Sequence, residues 1–120
     1  MRTRIETYPR MIELFDENID AFNKMVEDNK APDLRNKNLS GLDLSKANIK
    51  GLDLSGSYLR NTNLKGLDLT GCNLQGTSIH NARINGVLFP DNLSPDEIIM
   101  SVKYGTRMRV LPPKKTRKLF

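Results

Sequence analysis

The sequence predicts a repeat fold in which the chain coils around an apolar axis. Three observations predict it: an apolar residue at every fifth position through the middle of the chain, Asp or Asn just before most of them, and Gly or Asn two places after. The centres run Leu34, Leu39, Leu44, Ile49, Leu54, Leu59, Leu64, Leu69, Leu74, Ile79, Ile84 and Phe89, with no insertion or deletion. A period of five matches neither a helix at 3.6 residues nor a strand at 2, so a one-sided apolar stripe requires a corner in every repeat. Gly41, Gly51, Asn61 and their equivalents supply backbone that tolerates corners, and Asp33, Asn38, Asp43 and their equivalents offer side-chain bonds to nearby main chain.

The stretch NLSGLDLSKANIKGLDLSGSYLRNTNLKGLDLTGCNLQG resembles the pentapeptide-repeat proteins, whose pattern is A(D/N)LXX. The resemblance implies a mainly β fold: a right-handed quadrilateral β-helix of about three coils, four pentads to a coil, in which the centre and the residue two before it point inward. That second position reads Pro32, Lys37, Leu42, Ala47, Leu52, Ser57, Thr62, Leu67, Cys72, Thr77, Ala82 and Val87. Stacked twenty residues apart, bulky residues there mostly alternate with small ones, as close packing requires. Lys37 is the misfit and is expected to reach out to solvent.

Repeat folds cover their open ends with atypical segments. Residues 1–31 are expected to form an N-terminal amphipathic helical cap, with Tyr8, Met11, Ile12, Phe15, Ile19, Phe22 and Val26 at helical spacing. Residues 32–91 are the repeats. Residues 92–106 are expected to form a C-terminal cap helix, opened by the capping-box string SPDE at Ser94 and stopped by Gly105. Residues 107–120, with adjacent prolines and a run of positive charge, read as a basic extended tail.

Composition narrows the chemistry. The formal net charge of +5 is concentrated late: residues 92–120 hold seven Lys and Arg against two Asp and Glu. No apolar run approaches the roughly 20 residues that cross a bilayer, and the amino end lacks the apolar core of a signal peptide. A soluble, cytoplasmic protein is expected, and no membrane partner. The single cysteine, Cys72, rules out an internal disulfide framework and sits at an inward position, where a buried small residue is expected. His80, the only histidine, follows a centre and is expected to face solvent. The aspartates recur because the repeat demands them, so no acid/base pair, phosphate loop or metal-spaced cluster emerges. No enzyme activity, catalytic residue, cofactor or metal is expected.

The surface is left to carry function. Tyr58 occupies a slot usually held by Asp or Asn, and Tyr58, Arg60 and His80 share a side with Asn38, Ser40 and Ser78, making the first three candidate partner-binding residues. Arg107, Arg109, Lys114, Lys115, Arg117 and Lys118 are candidates of a second kind, an arm able to neutralise nucleic-acid phosphates. Three readings are open: a non-catalytic protein-interaction module, for which the family resemblance implies a role in modulating another complex in a bacterium or phage; an inhibitor or protector of a DNA-handling enzyme, gyrase-like or a defence nuclease, by docking or duplex mimicry, which the resemblance also implies; and weak nonspecific nucleic-acid binding through the tail. The protein partner is unidentified, and the sequence leaves the oligomeric state open.

Overall fold

The computed structural model describes residues 18–113. They comprise helix α1 (Ile19–Glu27), the repeats, and helix α2 (Pro95–Tyr104) followed by an extended segment. The amino-terminal part of the expected helical cap, including Tyr8, Met11, Ile12 and Phe15, lies outside the described residues.

The expectation of a mainly β, right-handed quadrilateral β-helix is corrected. Among the described residues no β-strand forms, and the two short helices are the regular elements. Single residues pair instead. Isolated parallel bridges join Asn38 to Tyr58, Tyr58 to Ser78, Asp43 to Asn63, Asn63 to Arg83, Asp53 to Asn73 and Asp68 to Leu88. The two residues of each bridge are twenty apart, so four pentads complete one circuit. The physical reason is the corner. A strand needs consecutive extended residues, and here a residue of positive φ interrupts every few, for example Gly51 at 80° and Asn61 at 58°.

The pentad centred on Leu64 nonetheless satisfies all of its backbone donors. Asn63 N donates back to Leu42 O at 2.9 Å, while Leu64 N and Gly66 N donate forward to Arg83 O at 3.0 Å and Asn85 O at 2.9 Å. Leu67 N closes the corner on Leu64 O at 3.1 Å. The fifth donor, Lys65 N, is held by the Asn63 side chain at 3.1 Å. That bond is the reason for Asp or Asn in the slot: without it one N–H per repeat would need water.

The centres from Leu34 to Ile79 are buried, whereas Ile84 and Phe89, on the last circuit, are only partly covered. The second inward position hides a device that packing alone did not suggest. Thr62 and Thr77 donate their hydroxyls at 2.9 Å to Leu39 O and Leu54 O, and Ser57 and Cys72 reach Leu34 O and Ile49 O in the same manner. Each of these acceptors is a centre carbonyl twenty-three residues earlier. A buried hydroxyl without a partner would be costly, so the small polar residues are tolerated because each tethers one circuit to the next.

The two helices close the open edges. In α1, Ile19, Phe22 and Val26 recur on one face; Phe22 is fully buried and the other two pack against the core. Its Asn23 brackets the first circuit, donating from Nδ2 to Lys46 O at 3.1 Å and accepting from Asn48 N at 2.7 Å. An amide side chain there does what a preceding circuit would do. In α2, Ser94 Oγ accepts from Glu97 N, Pro95 occupies the first turn, and Gly105 ends the helix with φ 76°. Ile98 and Val102 pack inward, while Ile99 and Met100 remain exposed.

Candidate binding groove

Three circuits bring Asn38, Tyr58 and Ser78 into one column by parallel bridging. Two residues further along each pentad stand Ser40, Arg60 and His80. These six side chains, with Tyr104 and Gly105 from the end of α2, line a groove of about 440 Å³. The sequence candidates Tyr58, Arg60 and His80 are therefore neighbours on one concave surface. Tyr104 and Gly105 come from a segment far away in sequence and were not among the candidates.

Tyr58 is 44% exposed and Tyr104 68% exposed, so both present aromatic surface to solvent. Arg60 is also exposed and makes no ion pair with another described residue. His80 departs from expectation. It is half-buried beneath the α2 terminus, where a Cβ added at Gly105 would lie 3.3 Å from its ring. Its Nδ1 is buried with no hydrogen-bond partner among the described residues. Ser78 departs as well, being buried and donating its hydroxyl to Gly105 O at 3.0 Å.

The segment after Gly105 is docked along the edge of the last circuit. Gly76 N donates to Met108 O at 2.7 Å, Met108 N returns to Thr77 O at 2.9 Å, and Val110 N is held by Gln75 Oε1. Met108 is fully buried. Ser101 Oγ adds a hub, accepting from Ile79 N at 2.9 Å and donating to Thr106 O at 2.7 Å. Two of the candidate basic residues are engaged here: Arg107 spans Gly76 O and the Tyr58 hydroxyl, and Arg109 forms a forked pair with Glu97. Lys114, Lys115, Arg117 and Lys118 lie outside the described residues. The sequence signal for this docking was Met108 and Val110 alternating with Arg107 and Arg109, a period of two that the charge count obscured.

Electrostatics across the repeats are set by the Asx bonds. The hydroxyl and N–H of Ser45 lower the Asp43 carboxyl, those of Thr70 lower Asp68, and Ser55 does the same for Asp53. Asp33, held chiefly by the Arg35 side chain, is lowered to about 2. Burial pushes the Cys72 thiol up. Among the described residues no group of three or more His, Cys, Asp or Glu is placed to hold a metal ion. No helix among them is long and apolar enough to cross a membrane.

No curated protein and no solved structure matches the chain. The family model described as pentapeptide repeats matches in eight copies, over residues 31–61 and 53–89. Those spans cover the pentads whose backbone donors, Asx bonds and inward residues are described above, and the chain belongs to the pentapeptide-repeat family.

Proposed function

We propose that this protein is a non-catalytic protein-interaction module that engages a protein partner through the groove between the Tyr58 column and α2. One observation carries the reading: the column departs from the repeat pattern at Tyr58, and the departure lines a concave surface with a second exposed tyrosine and an arginine without an ion pair among the described residues. Tyrosine and arginine are the side chains that dominate protein interfaces, and a concave setting on a rigid scaffold suits them. The role as a modulator of another complex in a bacterium or phage is drawn from family membership.

Duplex mimicry gains little from the surface. The outward columns hold at most two carboxylates each, as in Asp33, Asp53 and Asn73, and Asp33 and Asp68 are paired to Arg35 and Lys50. A nucleic-acid arm is likewise reduced, because Arg107 and Arg109 are held against the body of the protein.

The test is affinity purification from the native host with the full chain and with a Tyr58→Ala, Arg60→Ala double variant shown by circular dichroism to be folded. Loss of one or more partners from the variant supports the groove as the contact surface. Recovery of the same partners at the same yield refutes it.

A further inference from the structure

We propose that the groove recognises an acidic peptide segment of its partner, seating a carboxylate on Arg60 with an aromatic side chain against Tyr58 and Tyr104. The inference rests on the groove being the contact surface and adds the chemistry of what enters it. Its lining contains one cation and no carboxylate, so the field inside favours an anion.

Hydrogen-bonding capacity points the same way. Ser78 spends its hydroxyl hydrogen on Gly105 O, and the Tyr58 hydroxyl oxygen accepts from Arg107, which leaves Tyr58 only its own hydrogen to donate. Asn38 uses its Oδ1 to accept from Ser40 N, which leaves its amide hydrogens. The groups that make no hydrogen bond to another described residue are then the Arg60 guanidinium and the Asn38 amide N–H groups, which only donate, and the Ser40 and Tyr104 hydroxyls and the His80 ring, each of which can also donate. A site dominated by donors calls for a group that only accepts, and an ionised carboxylate is such a group among protein side chains. A guanidinium binds it through two parallel bonds.

The aromatic part follows from exposure. Tyr58 and Tyr104 line the same groove as Arg60, and both are exposed. Arg107 lies over the Tyr58 ring, with its guanidinium carbon 4.6 Å from the centroid, and Tyr58 nevertheless stays exposed. A planar side chain next to the acid would gain contact with both rings. A nucleic-acid strand fits less well. Its regularly spaced phosphates need a row of cations, and the groove offers Arg60 alone.

The experiment uses the isotope-labelled full chain at physiological salt, followed by NMR during titration with Ac-Glu-Phe-Glu-NH2. Ac-Gln-Phe-Gln-NH2 and a ten-nucleotide oligothymidine serve as the other arms. The acidic peptide is expected to shift the Arg60 Nε–H and Tyr104 ring signals and to bind about tenfold more tightly than its amide counterpart, because the charge-assisted fork is lost in the latter. Arg60→Gln, at an exposed position where the fold should persist, is expected to remove about tenfold of the affinity, and Arg60→Lys less. Equal affinity for the two peptides, shifts confined to residues outside the groove, or tighter binding of the oligonucleotide at the same signals would each overturn the proposal. If host partners are still lost from the double variant while the acidic peptide fails, the groove remains the contact surface and only its ligand chemistry is wrong.

Discussion

The guanidinium of Arg107 lies over the ring of Tyr58, 4.6 Å from its centroid, and donates from its other side to Gly76 O at 2.9 Å. One residue thus ties three things together: the odd tyrosine in the repeat, the edge of the last circuit and the strand-like segment after α2. Tyr58 is held as well as displayed, which gives its departure from the repeat pattern a structural cause alongside the proposed functional one.

Replacing Arg107 with Ala should therefore loosen the carboxyl-terminal segment more than an ordinary surface change would. A cation–π contact at an exposed site is worth about 0.5 to 1 kcal/mol, and the bond to Gly76 O adds a similar amount. A fall in stability of about 1 to 2 kcal/mol by denaturant unfolding is expected, with Arg107→Lys between the two. Faster hydrogen exchange at Gly76 and Met108 should accompany it, since Gly76 N donates to Met108 O and Met108 N to Thr77 O along that edge. Unchanged exchange at both amides would mean that Met108 burial alone holds the segment.

The Asx slot gives a contrast between two repeats. Asn63→Ala leaves Lys65 N without its 3.1 Å acceptor and should cost about 1 kcal/mol. Leu88→Ala, in the same slot of the last circuit, should cost much less. The residue two further on is Pro90, which has no N–H to satisfy, and Leu88 is 58% exposed. Equal losses from both substitutions would show that the slot acts through side-chain contacts and not through the Asx bond.

The same pair of residues shows what the sequence made legible. The slot, the centre and the corner are fixed by local covalent geometry, so Asn63, Leu64 and Gly66 could be assigned from spacing alone. A β-strand was a different matter, because it depends on whether neighbouring residues stay extended between corners, and Gly66 at φ 72° does not. The groove was half legible. Tyr58 and Arg60 stood out as departures from the pattern, but Tyr104, the burial of Ser78 and the covering of His80 depend on where α2 lands. That landing is set by contacts such as Ser101 to Ile79, between residues twenty-two apart, which no local pattern announces.

Cys72 offers a chemical check on the core. Its sulfur donates to Ile49 O, the side chain is 3% exposed, and burial raises its pKa, so little thiolate is present or reachable at neutral pH. Native protein should react with a disulfide reagent many times more slowly than the denatured chain. Cys72→Ser should keep the tether to Ile49 O and remain close to wild type in stability, whereas Cys72→Val loses it and crowds the inward column. Rapid labelling of native protein at pH 7 would show that the circuits open readily around this residue.

Acid should unfold the protein through the Asx carboxylates. Asp43, Asp53 and Asp68 all have folded pKa values lowered from 3.8, chiefly by hydrogen bonds from Ser45, Ser55 and Thr70, and Asp33 is lowered to about 2 by Arg35. A lowered folded pKa means that the unfolded chain takes up protons first. The contribution is thus fully present above the unfolded value near 3.8 and is lost as pH falls through the lowered folded values, about 2 in the case of Asp33. The carboxylates are largely exposed, so solvent screening keeps each contribution small, and only their repetition makes the effect visible. The midpoint of thermal unfolding should be flat from pH 7 to about pH 5, then fall steeply below pH 4 and continue to fall toward pH 2. Asp53→Asn should keep the acceptor for Ser55 N while removing one titrating group, and so make the acid limb shallower with little loss at pH 7. An acid limb identical to wild type in that variant would place the acid sensitivity elsewhere, with the Glu97–Arg109 pair as the next carboxylate to replace.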